Sequence, residues 1–220
     1  MPNGRLEALA IRGPGTAGPR QVDSAIAVTA TGLAGDRHAD PLSPRQLLLA
    51  GSAAYARLGL APHALRENLL LDLDTSLLRS GTVLQVGLEV KLRLMFQCEA
   101  CGRLDLRQPG LAARAGPQRG MLARVLAGGT VRVGDPVRAL GLMPAWSDDW
   151  RERVAQVLDA VPDGSVVAYR DLARLAGIQS SYCRAFPRLL ARLGPDYARK
   201  AVAAGAAPSV PRWDGKGLYG

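Results

Sequence analysis

Aromatic residues make up only 5% of this 220-residue chain, and it has just three cysteines and two histidines. With so few aromatics, a core must be built from Leu, Val and Ala. An odd cysteine count cannot be consumed by a disulfide framework, so a reducing compartment is the simpler expectation. Long apolar runs are missing too: none approaches the roughly 18 to 20 residues a membrane span needs. The opening MPNGRLEALAIRGPG lacks the charged-then-apolar order of a signal peptide, and a cytoplasmic protein with no membrane contact is expected. The pair Cys98 and Cys101 has only Cys183, His38 and His63 available to complete a four-ligand site, so no structural zinc is expected.

What is present is charge and length. A net charge of +9 points to polyanion or phosphate partners more than to any fold. The excess is uneven: residues 164–220 hold 9 basic residues against 3 acidic ones. The length suits two compact domains, and Gly141-Leu142-Met143-Pro144-Ala145 reads as a short linker. We therefore divide the chain into residues 1–141 and 142–220.

In the first part, Leu6 to Ile11, Ile26 to Val28, Val83 to Val86 and Val90 to Phe96 read as strands. Residues 43–58 read as a helix with Ser43 as N-cap and Pro44 in its first turn. Gly128-Gly129 reads as a hairpin turn joining Gly120–Val125 to Thr130–Asp135. Strands in this number suggest a barrel or a folded sheet. The stretch Cys98-Glu99-Ala100-Cys101 is the clearest chemical feature, because a thiolate is both nucleophile and soft-metal ligand, and Arg103 and Arg107 follow closely. Thr31-Gly32-Leu33-Ala34-Gly35-Asp36-Arg37-His38 is either a ligand-binding loop or a tight turn capped by Asp36.

Taken in order, GLAGDRH, a REN segment entering a strand, CEAC and QRGMLARVLAGGTVRVGD resemble the MOSC domain, named for the C-terminal domain of molybdenum cofactor sulfurase. The resemblance spans about residues 5–140 and implies a mainly β, barrel-like fold around one cysteine. Cys101 matches that position best, with Cys98 as an accessory. It also implies either a persulfide sulfur carrier or ligation of molybdenum in a pterin cofactor, in enzymes that reduce N-hydroxylated compounds. The molybdenum cofactor and a metal-ligating Cys101 are therefore expectations, with Gly35, Asp36, Arg37, Arg66, Asn68, Arg119 and Gly120 as cofactor-site candidates. A cysteine desulfurase or an electron-donor protein is the expected partner.

In the second part, Trp150, Val154, Val157, Leu158 and Val161 share a helical face, with an N-cap at Ser147–Asp149. A helix through Leu172 to Leu175, a break at Gly177 and a further helix with Arg184, Arg188 and Arg192 spaced by four suggest a helix-turn-helix or a plain helical bundle. VPDGSVVAYRDLARLAG followed by Cys183-Arg184-Ala185 is similar to the DNA-binding domain of O6-alkylguanine-DNA alkyltransferases. That resemblance implies a small α-helical winged helix-turn-helix domain that binds DNA or a damaged nucleobase. It places Tyr169 against the phosphate beside the target base and Arg184 in the gap left by base flipping, with Arg170, Ser181, Arg188 and Trp213 as further contacts. The family's reactive cysteine falls at Ala198, so alkyl transfer is not expected. Pro187, where the family has glycine, is expected to kink the recognition helix.

Together these readings give a protein that couples cysteine-dependent sulfur or molybdenum chemistry to a DNA-binding domain that does not transfer alkyl groups. The alternative is a non-catalytic reader of DNA lesions in which the first domain is a docking platform.

Overall fold

Alternating burial along Thr82–Val86, and near-complete burial along Val90–Gln97, make these segments strands of a closed sheet. The computed structural model describes residues 3–15, 18–106, 108–203, 205–206 and 209–219. It divides into two units, residues 1–41 with 45–145, and residues 146–220 with 42–44.

The first unit begins with β1 (Asn3–Ile11), β2 (Arg20–Val22), β3 (Ser24–Val28) and β4 (Gly32–Leu33). It continues through β5 (Leu47–Gly51), α1 (Ser52–Leu58), β6 (Leu69–Leu71), β7 (Thr82–Val86), β8 (Val90–Gln97), α2 (Gly102–Asp105) and α3 (Leu111–Ala115). It ends with β9 (Met121–Ala127), β10 (Gly129–Arg132) and β11 (Pro136–Leu142). Seven strands, in the order β11-β7-β8-β9-β5-β6-β1, close into a barrel because β1 also pairs with β11, Asn3 opposite Arg138. The strands β10, β3 and β4 form a second, smaller sheet. Leucines and valines of the barrel strands, Leu6, Leu49, Leu69, Leu84 and Leu94 among them, fill the interior. A second cluster, built from Ala50, Ala54, Leu65, Leu104, Leu111 and Ala115, packs the short helices together, with Tyr55 and Ala100 against it.

Two expectations are corrected here. The helix expected over 43–58 starts only at Ser52; Leu47–Gly51 is a fully buried strand between β9 and β6. A run buried on both faces has no alternation to reveal it, and its leucines suit a helix equally well. The N-cap of α1 is Gly51, without a side-chain bond, and not Ser43. Gly128-Gly129 makes no hairpin: β9 pairs with β5 and β8, whereas β10 crosses to β3. A Cβ at Gly128 would overlap the Ala27 carbonyl and Thr29 region, so the chain passes there only as glycine.

The second unit comprises α4 (Trp150–Asp159), β12 (Val167–Ala168), α5 (Tyr169–Leu175), a 3-10 segment Ser180–Ala185, α6 (Phe186–Leu193), α7 (Pro195–Arg199) and β13 (Ala201–Val202). Asp149 caps α4 by accepting from the Arg151 N–H at 2.8 Å. Val154, Val157, Leu158 and Val161 are buried as expected, and so is Arg153, whose Nε donates to Ala176 O and Nη1 to Ser147 O and Asp148 O. Two short parallel strands, β12 and β13, complete the unit. Pro187 lies in the first turn of α6, where the missing N–H has no intrahelical partner to lose, so the expected kink does not form.

Candidate functional site

Asp36 is the centre of the loop after β4. Its Oδ2 accepts from the Arg12 N–H at 2.9 Å and Asn68 Nδ2 at 2.8 Å; its Oδ1 accepts from the His38 N–H at 2.8 Å and bonds His38 Nδ1 at 3.0 Å. Burial pushes this carboxyl up, but the bonds from His38 and Arg12 and the Arg12 charge outweigh it and hold it down at about 2. Asn68 Oδ1 accepts from Arg12 Nη2 at 2.6 Å and from the Leu48 N–H at 3.1 Å, which ties β1, β5 and β6 to the loop. The loop is thus a buried polar hub, and Asp36 does more than cap a turn.

Arg12 directly follows β1 and was not singled out from sequence; it opens a Gly/Pro-rich stretch that carries no motif. Its guanidinium lies 3.8 Å from Asp36. Burial lowers its pKa to about 10 against the raising effect of Asp36, with Arg66, Arg37 and Arg119 lowering it further by repulsion. The structure therefore brings Arg37, Arg66 and Arg119 into the field of one buried cation. Arg37 is exposed and Gly35 sits in an exposed turn with φ +77°. Arg66 is half-buried at φ +58°. Arg119 is buried, Nη1 donating to Leu65 O. The Nε atoms of Arg12 and Arg119 are both buried with no hydrogen-bond partner.

A second polar group supports the segment that leads into β6. Buried Glu67 accepts from Tyr55 Oη at 2.5 Å and bonds His63 Nδ1 at 3.2 Å, and the Leu65 N–H donates to Tyr55 Oη at 3.3 Å. Leu65 is consequently held from both sides, by Tyr55 and by Arg119. Burial pushes Glu67 up, but His63 and Tyr55 hold it below the ordinary range; the His63 bond to Glu67 in turn raises the imidazole. Burial and Glu67 raise the Tyr55 phenol. Glu67 was legible only as the middle of REN, and Tyr55 read as part of an apolar helical face.

The two thiols are separated. Cys98 is buried, its N–H donating to Gly120 O at 2.8 Å, while Cys101 is exposed in extended backbone at φ −135°, just before α2. Gly120 at φ +106° passes so close to Leu49 O that no Cβ fits. The Cys98–Gly120 bond places the start of the CEAC stretch against the backbone of Gly120, and Ala100 packs against the helical cluster that includes Leu65. Arg103 is exposed, and Arg107 lies outside the described residues. Among the described residues, no group of three or more His, Cys, Asp or Glu side chains converges.

In the second unit Tyr169 is half-buried at the start of α5, its ring 5.4 Å from that of Phe186 at 77°. Arg170, Ser181, Arg184 and Arg188 are exposed, as is Ala198 at the expected place of a reactive cysteine. Trp213 is half-buried, with Nε1 donating to Lys216 O at 3.2 Å. Cys183 is half-buried; burial raises its pKa, and its Sγ lies 3.4 Å from Tyr169 O.

A closed seven-stranded barrel with a cysteine-bearing helical cap defines the class. Residues 44–138 match the family model described as MOSC domain, which runs from β5 into the first residues of β11 and includes Arg66, Asn68, Cys98, Cys101, Arg119 and Gly120. No curated protein matches the chain. Among solved structures, the YUAD protein of Bacillus subtilis is 20% identical over 62% of this chain and 94% of its own, with a TM-score of 0.52. YiiM of Geobacillus stearothermophilus is 16% identical over 86% of this chain and 100% of its own, TM-score 0.53. YiiM of Escherichia coli is 22% identical over 89% of this chain and 98% of its own, TM-score 0.50. These likenesses concern the fold. The family match stops at residue 138, and none of these matches is an alkyltransferase-like domain, so neither the winged helix-turn-helix assignment nor DNA binding gains support from them. No helix among the described residues is long and apolar enough to cross a membrane.

Proposed function

We propose that the MOSC-containing unit carries out sulfur chemistry at Cys101, either as a carrier of sulfane sulfur or as the thiolate ligand of molybdenum in a pterin cofactor. The observation that carries this reading is the division of labour between the two thiols: Cys101 is exposed, and Cys98 is buried with its N–H bonded to Gly120 O. The donor set fits the cofactor. Arg12 and Arg119 keep unpartnered buried Nε donors that an anionic phosphate would satisfy, Arg66 and Arg37 add charge, and Cys101 offers a soft ligand to a metal that arrives with its pterin sulfurs. When bound, that group would supply two-electron reduction of N-hydroxylated compounds, with electrons from a donor protein. The chain's own part is to orient: Asp36 and Asn68 hold Arg12, and Tyr55, Glu67 and Arg119 hold the loop bearing Arg66. Mass and metal analysis of protein from a host that makes the cofactor tests this reading. Sulfur or molybdenum is expected on the wild type and absent from Cys101→Ala; neither on the wild type would overturn it.

A second reading concerns residues 146–220, which we infer to bind DNA or a damaged base without repairing it. Its support is the exposed row Arg184, Arg188 and Arg192, set opposite buried Phe186, Leu189 and Leu190. Gel shifts with duplexes containing or lacking O6-methylguanine are expected to favour the lesion and to weaken in Tyr169→Ala and Arg184→Ala. Equal binding to both duplexes, unchanged by either substitution, would leave only non-specific charge attraction.

A further inference from the structure

The first unit has a cleft that shares no residue with the site described above. Leu77 and Leu78, at the end of the 3-10 segment Thr75–Leu77, form one wall, and Ala139, Gly141 and Leu142 of β11 form the other. Arg79 and Thr82 are its polar members. Its volume is about 250 Å³, below the roughly 300–1,000 Å³ of sites for drug-sized ligands, so a fitting occupant is small. No aromatic ring lines it, which suits an aliphatic body better than a stacked one. Leu77 is 78% exposed and Leu142 70%, so apolar surface stands in water at the rim until something covers it.

The polar side of the cleft is a single turn, in which the Thr82 N–H donates to Arg79 O at 3.2 Å. That turn is tied to the barrel: the Gly81 N–H donates to Leu94 O at 2.8 Å, the Met143 N–H to Gly81 O at 2.8 Å, and Ser80 Oγ to Met95 O. Thr82 is only 7% exposed, yet its hydroxyl makes no hydrogen bond among the described residues. The exposed Arg79 guanidinium makes no hydrogen bond or ion pair among them either. The nearest carboxylate along the chain, Asp74, is engaged by Arg57 Nη2 at 2.8 Å and by the Ser76 N–H at 3.0 Å. A hydroxyl and a guanidinium on one anchored turn match the two oxygens of a carboxylate, and their fixed backbone lowers the cost of ordering them on binding. We propose that this cleft binds a small aliphatic carboxylate, its chain against Leu77, Leu78 and Leu142 and its head group on Arg79 and the Thr82 hydroxyl. Charge complementarity selects the acid. An uncharged chain would cover the leucines and leave the guanidinium unused, and a cationic head group would be repelled by Arg79 and by a protein of net charge +9.

Calorimetric titration of the full chain with straight-chain acids from butanoate to decanoate, and with octanol, is the test. One-to-one binding is expected to tighten about fourfold per added methylene, the weight of one buried CH₂, and to level off once the cleft is full. Octanol is expected to bind about tenfold more weakly than octanoate. Arg79→Gln and Thr82→Val are each expected to weaken octanoate about five- to tenfold, the weight of one charge-assisted hydrogen bond at a partly exposed site, with melting temperatures close to the wild type. Arg79→Gln is expected to leave octanol binding unchanged. Absence of saturable binding by every acid in the series overturns the inference. So does equal binding of octanoate and octanol that ignores Arg79→Gln, which would make the leucines an apolar face without selection for an acid.

Discussion

Asp36 receives four donors on two oxygens, and its charge is the counterweight to a buried guanidinium 3.8 Å away. Removing that charge leaves Arg12 unpaired in the interior, so Asp36→Asn is expected to cost about 3–5 kcal/mol in urea denaturation. The pH dependence has a definite sign. A carboxyl held at about 2, below its ordinary 3.8, stabilises the fold fully above pH 4, and that stability is lost as pH falls toward 2. The wild type is expected to lose on the order of 2 kcal/mol across this window, and Asp36→Asn to show a flatter acid limb. His63 has the opposite sign: its raised pKa stabilises at low pH and the contribution fades as pH rises through the folded value. Sequence spacing locates Asp36 because two glycines closely precede it, but it gives no polar role to Arg12, Tyr55 or Glu67. Their partners lie far along the chain, Arg12 to Asn68 being 56 residues apart.

Among the elements, glycine and proline had readable consequences only where backbone geometry decided the matter. Gly120 combines φ +106° with contact to the Leu49 carbonyl, so Gly120→Ala is expected to destabilise by about 2–3 kcal/mol and to lower the melting temperature measurably. Pro187 sits in the first turn of α6, and Pro187→Ala is expected to leave stability within about 0.5 kcal/mol, read by the same thermal melts. From sequence, proline in an arginine-striped helix looked disruptive because the helix seemed to start at Ser180 or Ser181. The 3-10 segment Ser180–Ala185 moves the start of α6 to Phe186. Strands with alternating burial, such as β7, were legible. The fully buried β5 was not, since its pattern is shared by a buried helix.

At the scale of the whole molecule, the barrel closes within the first unit. Each of its seven strands lies before residue 143, and the Gly81–Met143 backbone pairing and the Arg93 Nη2 bond to Pro144 O finish the seam. A chain ended after Ala145 is therefore expected to fold with a cooperative thermal transition and β-type circular dichroism; a non-cooperative melt would show that the barrel needs the rest of the chain. What the sequence determined by itself was local: strand periodicity, the capping of α4, the acid that follows two glycines and a thiol pair at the end of an apolar strand. Each depends on neighbours a few residues away. Tertiary structure alone decided that β10 leaves β9 for β3, that four arginines separated along the chain share one field, and that Cys101 is exposed while Cys98 is buried. These depend on which distant strands pair and which face of the backbone meets the core, and spacing along a chain carries neither.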